Sequence, residues 1–370
     1  MKILVFPREA NPYQDLLYGE MQRFGVEAVY IGELTPVKTL NRLLLPLEIA
    51  ARRKADVRVI HLHWVFAFLL PGAQRFPVVR RMAQIWFLVF LRTCRMIGMH
   101  LVWTAHNVLP HEQVFGDDVS ARRALVEASD LVLAHSQSTL DELAALGAVA
   151  RRSAIIRHGP FGSRLSAELL RAPGSGGRPR RFLFFGSVRE YKAVDDLISA
   201  FVTLPDDVVA HLTVAGQCHD PSLRSHLREL ARRGGSNILL RLEYVPGDEV
   251  SQLLAAADVV VLPFRRVTTS GSAMLALSHG RPLIVANLAA LADLPDQAVL
   301  RYDGGVTGLA AALVRLARAD DDTLAAMSAA ARSYAFQTTW REIAERTTSE
   351  ILSMLGDVPD AGVRRPVRAP

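Results

Sequence analysis

The 370-residue chain contains only two cysteines, Cys94 and Cys218, and they form no CxxC pair. The sequence therefore indicates neither a disulfide framework nor a structural zinc site built on cysteines. Such sparse use of cysteine fits a reducing, cytoplasmic compartment. The opening segment, residues 1–8, is a brief apolar strand pattern, shorter than a secretory signal peptide.

Long uncharged apolar runs are also missing, so no transmembrane helix is predicted. The nearest candidate is Met82–Met99, where an apolar run at 85–91 is flanked by arginines on both sides. Residues 41–100 hold ten Arg or Lys against two acidic residues. Basic residues beside Trp and Phe favour a 75–99 region that lies on an anionic membrane surface. A buried core helix with arginines at its ends fits the same residues.

Metal-ligand spacing is absent as well. Four histidines are candidates by number, His61, His63, His106 and His111, but neither HExxH nor a comparable spacing occurs. We therefore expect no metal. Aromatic and basic residues do not alternate as in a nucleic-acid-binding module, so no nucleic acid partner is expected. The net charge of +6 still favours an anionic partner, such as a phosphate sugar or an anionic lipid.

What the sequence does contain is a repeated alternation of short apolar strands with helical patterns. This alternation predicts two α/β domains, each a parallel sheet covered by helices in the doubly wound, Rossmann-like manner, with a cleft between them. The predicted boundaries are a domain at 1–165, a linker at 166–181, a domain at 182–335, a helix at 336–355 and a disordered tail at 356–370.

The most informative segment runs from Phe182 to Lys192. An apolar strand pattern ends at a Gly186-Ser187 turn, and two cations, Arg189 and Lys192, precede a helical pattern. A strand, a tight turn and a helix start gather backbone N–H groups at one point, and the two cations make that point suitable for a diphosphate. A surface turn with two solvated cations is the plainer alternative.

Three further segments are predicted at the same edge of this sheet. Residues Thr269 to Ser272, which include Ser270 and Gly271, precede an apolar helix and form either a second anion-binding turn or ordinary helix caps. Tyr244 and Val245 follow a strand, where a planar base could rest. Gln217 ends another strand on the same side.

Together these segments resemble the GT-B glycosyltransferases, close to the group 1, family-4-like enzymes. Residues 185–193 resemble their Gly-x-x-Arg-x-x-Lys-Gly loop, with Ala193 in place of the last glycine. Residues 244–263 resemble their base-binding loop, helix and strand, and Gly280-Arg-Pro-Leu-Ile284 their Gly-Lys-Pro-Val-Ile strand. Residues 336–344 resemble the last helix, which in this family crosses back to the N-terminal domain.

The chain departs from the family at one place. Many family-4 retaining enzymes carry two glutamates eight positions apart before the Gly-Lys-Pro-Val-Ile strand, and Val267 and Leu275 stand near those positions here. The ribose-holding glutamate is therefore missing, and a Thr/Ser/Gly cluster stands in its place. The resemblance thus indicates a divergent subgroup.

The N-terminal half is expected to bind the acceptor and to supply the catalytic group. His63 follows one strand, and His106-Asn107 follows another, with His111 and Glu112 shortly after. The His-Asn pair resembles that of lipid-linked β-mannosyltransferases. An inverting transfer needs a base, and His106, His111 or Glu112 could serve. His158 resembles a family segment at the domain junction and is placed on the acceptor side. His63 and His106 equally suit a purely structural role at strand ends.

The resemblance implies transfer of a sugar from a nucleotide diphosphate sugar, with GDP-mannose favoured, to a glycan or lipid-linked acceptor in glycoconjugate synthesis. It implies no metal or other cofactor, and a cytoplasmic protein held peripherally at the membrane. Two alternatives stay open. One is a sugar-nucleotide epimerase of the same fold, and the other a catalytically silent membrane-associated binding protein.

Overall fold

The computed structural model describes residues 1–9, 11–55, 57–110, 112–162, 177–267 and 270–356. The chain divides into two compact units. The N-terminal domain comprises residues 1–157 together with the chain from Trp340 onward, and the C-terminal domain comprises His158–Thr339.

The N-terminal domain is an alternation of strands and helices around one sheet. Its strands are β1 (Lys2–Phe6), β2 (Glu27–Tyr30), β3 (Val59–Leu62), β4 (His100–Ala105), β5 (Leu131–Ala134) and β6 (Ser153–Ile155). Its helices are α1 (Pro12–Met21), α2 (Lys38–Lys54), α3 (Pro77–Met96), α4 (Asp118–Ala128) and α5 (Gln137–Ala145). All strands are parallel, in the order β2-β1-β3-β4-β5-β6.

The C-terminal domain repeats the pattern. Its strands are β7 (Arg180–Phe185), β8 (Ala210–Ala215), β9 (Ile238–Arg241), β10 (Val259–Leu262), β11 (Leu283–Ala286) and β12 (Val299–Tyr302). Its helices are α6 (Val194–Val202), α7 (Pro221–Arg232), α8 (Gly247–Ala256), α9 (Gly271–Ser278), α10 (Gly305–Ala317) and α11 (Asp321–Ala335). The sheet is again all parallel, in the order β12-β11-β10-β7-β8-β9.

A last helix, α12 (Trp340–Gly356), follows the C-terminal domain but packs on the N-terminal one. Its buried face includes Trp340, Ile343 and Ile351, which join one core with residues of β1 and α1. The Trp340 ring meets the Tyr13 ring edge-on, with centroids 5.2 Å apart. The N-terminal domain is thus built from both ends of the chain, as the resemblance predicted for its last helix.

The predicted fold class, two doubly wound α/β domains, is confirmed by the two parallel sheets. Helix α2 carries Pro46 in its interior, a residue that normally argues against a helix. Residues 82–96 of the segment 82–99 belong to helix α3, which begins earlier, at Pro77, and has one buried face. Most of the predicted linker and nearly all of the predicted tail lie outside the described residues.

Candidate active site

The topology of the C-terminal sheet decides where a ligand would bind. The chain starts at β7, moves outward through β8 and β9, and then returns to the other side of β7 with β10. The order reverses between β7 and β10, and ligands of such sheets bind at the carboxyl ends of the strands beside this point. The turns after β7 and β10 contain Gly186–Lys192 and Ser270–Ser272. The residues that the sequence predicts as phosphate-binding therefore lie beside this reversal of strand order.

Two glycines bring the ends of β7 and β8 into direct contact. A β-carbon on Gly216 would lie 2.0 Å from the carbonyl oxygen of Gly186, so only glycine fits at position 216. Both residues have positive φ, 114° at Gly186 and 150° at Gly216. Farther along, the Val188 amide donates to the carbonyl of Gln217 at 2.9 Å. The predicted site residue Gln217 therefore lies beside the turn that follows β7.

A small space in front of Gly186 is lined by an ammonium and a hydroxyl. A β-carbon at Gly186 would stand 3.3 Å from Nζ of Lys192 and 3.5 Å from Oγ of Ser272. These side chains come from the turn after β7 and from the first turn of α9. Three predicted donor-binding residues thus converge on one point, and a glycine keeps that point open.

The cation of Lys192 is held in an unusual environment. Its Nζ lies over the Phe264 ring, 5.4 Å from the centroid. Burial, and then the nearby charge of Arg189, lower the pKa of Lys192 to about 8. The described residues provide no carboxylate within salt-bridge distance of it. A partly desolvated ammonium next to a guanidinium is stabilised when an anion binds between them.

Carboxylates of the protein itself lie at the N-terminus of α6. Asp195 and Asp196 lie in its first turn and pair with Arg265, both at 2.9 Å. Ala193, directly before the helix, adopts the left-handed φ of 50° that glycine would adopt more easily. This is the position at which the resembling family has glycine. The remaining positive groups at the turn are Arg189, whose Nε donates to Ser187 Oγ at 3.3 Å, and Lys192.

The turn after β10 shows one of its two predicted roles, the capping of a helix. Oγ of Ser270 accepts from the amide of Ala273 at 3.0 Å and so caps α9. The side of Gly271 is open, since a β-carbon there would meet no atom within 4 Å. Thr269, predicted with Ser270 and Gly271, lies outside the described residues.

The other residues predicted on the donor side differ in exposure. Tyr244, after β9, is 71% exposed, and the half-buried Val245 packs against the domain core. Val267 and Leu275, where the related enzymes carry glutamates, also pack against this core. His158 belongs to the C-terminal domain, which corrects its placement in the N-terminal one. The backbone amide of Phe161, three residues after His158, donates to Oγ of Ser278. Ser278 lies in the last turn of α9, at the other end of that helix from Ser270.

Histidines predicted in the N-terminal domain lie in one continuous chain of hydrogen bonds, called here the histidine chain. In order, its members are the side chains of Thr104, His61, Tyr18, His63, His106 and His135, and the carbonyl of Ile156. The successive distances are 2.7, 2.9, 2.6, 3.0, 3.3 and 2.9 Å. Tyr18 and His135 were not predicted, because nothing local in the sequence marks them as partners.

Burial favours the neutral form of three rings of the histidine chain, those of His61, His63 and His135. It lowers the pKa of His61 to about 3 and of His135 to about 4, and that of His63 well below the ordinary value. Aromatic rings pack against His106 from two sides. Trp64 stacks on His106 with centroids 4.3 Å apart, and Tyr13 meets the same ring edge-on at 4.8 Å.

A neutral chain has a single direction, because its last acceptor is a carbonyl. Nδ1 of His135 must donate to the Ile156 carbonyl, so its Nε2 accepts from His106. A neutral His106 then accepts at Nε2 from Nδ1 of His63. By the same logic Tyr18 donates to Nε2 of His63, its shortest bond, and accepts from His61.

This direction limits what His106 can do. Both of its ring nitrogens are used within the chain, so it can act as a base only after giving up its bond to His63. Asn107 next to it is half-buried, and Glu112 is exposed. His111 lies outside the described residues. The assignment of a base among these residues stays a prediction.

A carboxylate that the sequence analysis missed lies at the end of β1. In this sheet the order reverses between β1 and β3, so the loop after β1 is where a ligand is expected. Gln14, buried on α1, holds that loop with two hydrogen bonds. Its side-chain oxygen accepts from the backbone amide of Glu9 at 3.1 Å, and its side-chain nitrogen donates to the carbonyl of Pro7 at 2.8 Å. Gln14 thereby fixes the backbone of Glu9.

Glu9 is half-buried, and its carboxylate makes no hydrogen bond or ion pair with the described residues. Burial raises its pKa, although the charges of Lys38 and Arg42 on α2 act against this rise. Raised pKa values of this kind are typical of general bases. A lone glutamate after a strand gives no signal in the sequence, because the two cations near it, Lys38 and Arg42, lie on a distant helix, α2.

Comparison with known proteins agrees with the fold. Residues 179–319, which contain the turns after β7, β8, β9 and β10, match the family model for "Glycosyl transferases group 1". A GDP-mannose:glycolipid 4-beta-D-mannosyltransferase of Xanthomonas campestris pv. campestris is 27% identical over 250 residues, 66% of this chain and 67% of that protein.

In these comparisons the chain is similar to the group 1 glycosyltransferases. It is therefore a sugar-transferring enzyme, as the sequence predicted. Among solved structures, sucrose-phosphate synthase from Thermosynechococcus elongatus superposes with a TM-score of 0.71 at 15% identity, over 96% of this chain and 99% of that one. Anabaena Alr3699/HepE in complex with UDP gives a TM-score of 0.66 at 17% identity, over 95% and 100%. These likenesses show the GT-B fold.

Proposed function

We propose that this glycosyltransferase moves a mannosyl group from GDP-mannose to a hydroxyl of a lipid-linked glycan. The observation that carries the donor half is the convergence of Lys192 and Ser272 on the open space before Gly186, with Arg189 adjacent. The mannosyl donor and the lipid-linked acceptor are supported by the 27% identical GDP-mannose:glycolipid mannosyltransferase.

In the reaction, the acceptor oxygen bonds to the anomeric carbon while the bond from that carbon to the β-phosphate breaks. The electron pair goes to the departing nucleoside diphosphate, and the positive charges of Arg189 and Lys192 stabilise it. The proposed donor site also includes Gly186, Ser187, Gln217, Tyr244, Val245, Ser270 and Gly271. Tyr244 offers an exposed ring against which a nucleobase can stack. No metal or other cofactor is required in this proposal.

The acceptor proton goes to a base in the N-terminal domain, and we place it on Glu9. The mannosyl group of GDP-mannose is α-linked, so a β product requires inversion and a base for the acceptor hydroxyl. Glu9 carries a carboxylate that no donor of the described residues satisfies, whereas His106 has both ring nitrogens in use. A hydroxyl of the acceptor would supply the missing donor.

The experiment is a transfer assay with GDP-mannose and UDP-glucose, each with and without octyl β-glucoside as a synthetic glycolipid acceptor. We expect transfer from GDP-mannose, and a β-linked product by NMR. Conversion of the donor to an epimer without acceptor would replace this proposal with an epimerase. Calorimetry with GDP and UDP addresses the silent alternative, because a catalytically silent binding protein need bind neither nucleotide.

We also propose that the enzyme works at the cytoplasmic face of a membrane, where a lipid-linked acceptor is found. The support is the basic, aromatic composition of 75–99. No helix in the described ranges combines the length and hydrophobicity that crossing a bilayer would need.

A further inference from the structure

Exposed apolar side chains are concentrated in one part of the N-terminal domain. Of 18 large hydrophobic residues that are exposed in the described chain, 12 lie between residues 34 and 96. They are Leu34, Val37, Leu40, Leu43, Leu47, Phe76, Val78, Met82, Ile85, Leu88, Val89 and Met96. Single exposed apolar residues need no explanation, but a concentration of this kind marks an interaction surface.

On α3 the exposed residues form a stripe with helical spacing. Val78, Met82, Ile85, Val89 and Met96 recur at intervals of three, four or seven residues, and their exposures range from 40% to 75%. The opposite face is buried and holds residues such as Phe87, Phe90 and Cys94. Helix α3 is therefore apolar on two faces, of which the fold covers one.

Helix α2 repeats this division beside it. Leu40, Leu43 and Leu47 are exposed by 42%, 44% and 69%, whereas Leu45 and Ile49 are buried. The two helices pack against each other, and the indole of Trp86 on α3 donates to the carbonyl of Arg42 on α2 at 3.0 Å. The uncovered stripes thus lie on neighbouring helices, here called the two-helix surface.

The charges around these stripes have one sign. Lys38, Arg52 and Lys54 on α2, and Arg81, Arg92 and Arg95 on α3, are exposed. Helix α3 contains no acidic residue, and the single acid of α2, Glu48, is buried and accepts from the amide of Gly32 at 2.9 Å. The two-helix surface therefore combines apolar side chains with positive charges that no exposed acid of its own two helices balances.

We propose that the two-helix surface docks the enzyme on an anionic lipid bilayer, an inference that rests on the proposed lipid-linked acceptor. The apolar stripes enter the boundary between headgroups and acyl chains, and the long basic side chains reach the phosphates. A second protein as occupant would need carboxylates facing these arginines, and the helices of the surface offer none to a second copy of this chain.

The test is flotation of the full-length enzyme with vesicles of phosphatidylcholine alone or mixed with phosphatidylglycerol. We expect binding to the anionic vesicles only, weakened by salt. The triple variant Leu47→Ser, Ile85→Ser, Val89→Ser should reduce this binding about tenfold or more. The matched control is Val209→Ser, Leu239→Ser, Leu352→Ser, which removes three exposed apolar side chains elsewhere and should bind like the wild type.

Unchanged melting temperatures would establish that both variants fold. Three results overturn the inference: wild-type enzyme that does not float with anionic vesicles, a triple variant that floats normally, or a wild-type dimer that the triple variant converts to monomer without vesicle binding. These outcomes are separable from the proposed function. An enzyme that floats but does not use GDP-mannose contradicts the function, and one that transfers mannose but does not float contradicts only the docking.

Discussion

Nζ of Lys192 lies 3.3 Å from the point where a β-carbon on Gly186 would stand. Gly186 therefore keeps open the space in which we place the diphosphate. We predict that Gly186→Ala weakens GDP binding about tenfold or more, because the methyl group fills this space. The measurement is calorimetry with GDP.

A matched control separates this effect from backbone strain. Gly235 also has a positive φ, 58°, but a β-carbon there would meet no atom within 4 Å. Gly235→Ala should cost about 1 kcal/mol of stability through its φ and leave GDP affinity unchanged. Equal loss of affinity in both variants would mean that general strain, not the filled space, is responsible.

The charge of Lys192 should make donor binding depend on alkaline pH. Its pKa is lowered to about 8, so the ammonium is present at pH 7 and is lost as the pH rises through 8. GDP affinity should therefore fall as the pH rises above 8, because the bound anion raises the pKa of this ammonium and binding then requires uptake of a proton. Lys192→Met should remove the decline and lower turnover at pH 7 about tenfold or more. A decline that persists in Lys192→Met would assign it to another group.

Glu9→Gln tests the proposed base. We expect kcat to fall about a hundredfold or more with little change in GDP affinity, since the carboxylate acts on the acceptor. The raised pKa of Glu9 also predicts a wild-type rate that declines on the acidic side from a pH above the usual carboxylate range, and Glu9→Gln should lose that decline.

Two variants serve as comparisons for Glu9. Glu33→Gln changes an exposed carboxylate, 3.9 Å from Arg8, and should keep full activity. His106→Gln distinguishes the two candidate bases. If it abolishes transfer without loss of stability while Glu9→Gln transfers normally, the base is His106.

The histidine chain should make the N-terminal domain sensitive to acid. The pKa values of His61 and His135 lie near 3 and 4 in the folded domain, against about 6.5 in an unfolded chain. The unfolded state therefore binds more protons below pH 6.5, and stability should fall as the pH drops from there towards 3. Denaturant unfolding between pH 7 and pH 4 measures this slope.

Tyr18→Phe removes the hydroxyl that joins two of these rings. It leaves a buried nitrogen of His61 and one of His63 without partners, which should cost about 2–5 kcal/mol of stability at pH 7. Tyr30→Phe is the comparison, because Tyr30 is only half-buried and is not a member of the histidine chain. Equal stability of both variants would show that the hydrogen bonds of Tyr18 contribute little.

How far the sequence predicts this protein depends on whether a signal is local. Strands β1, β10 and β11 are easy to recognise in the sequence, since their continuous apolar runs end at clear turn residues. The grouping of Gly186, Lys192 and Ser272 followed from the rule that parallel strands end at one edge. Helix α2 was missed because Pro46 and its exposed leucines obscure the usual pattern.

The N-terminal site was predicted less completely, because it depends on distant partners. His63 and His106 were identified by position, but their bonds to Tyr18 and His135 arise from packing between elements separated by 29 or more residues. Glu9 was missed because the two cations near it, Lys38 and Arg42, come from α2, about 30 residues away in the sequence.

The contact of Trp340 with Tyr13 sets the order in which the two halves can be completed during synthesis. A ribosome finishes every strand of the second domain before it makes α12, so that domain can fold while the first still waits for its last helix. Until then α1 and β1 keep apolar surface uncovered in the nascent protein, where chaperones would recognise it. The half that is made first is therefore the half that matures last.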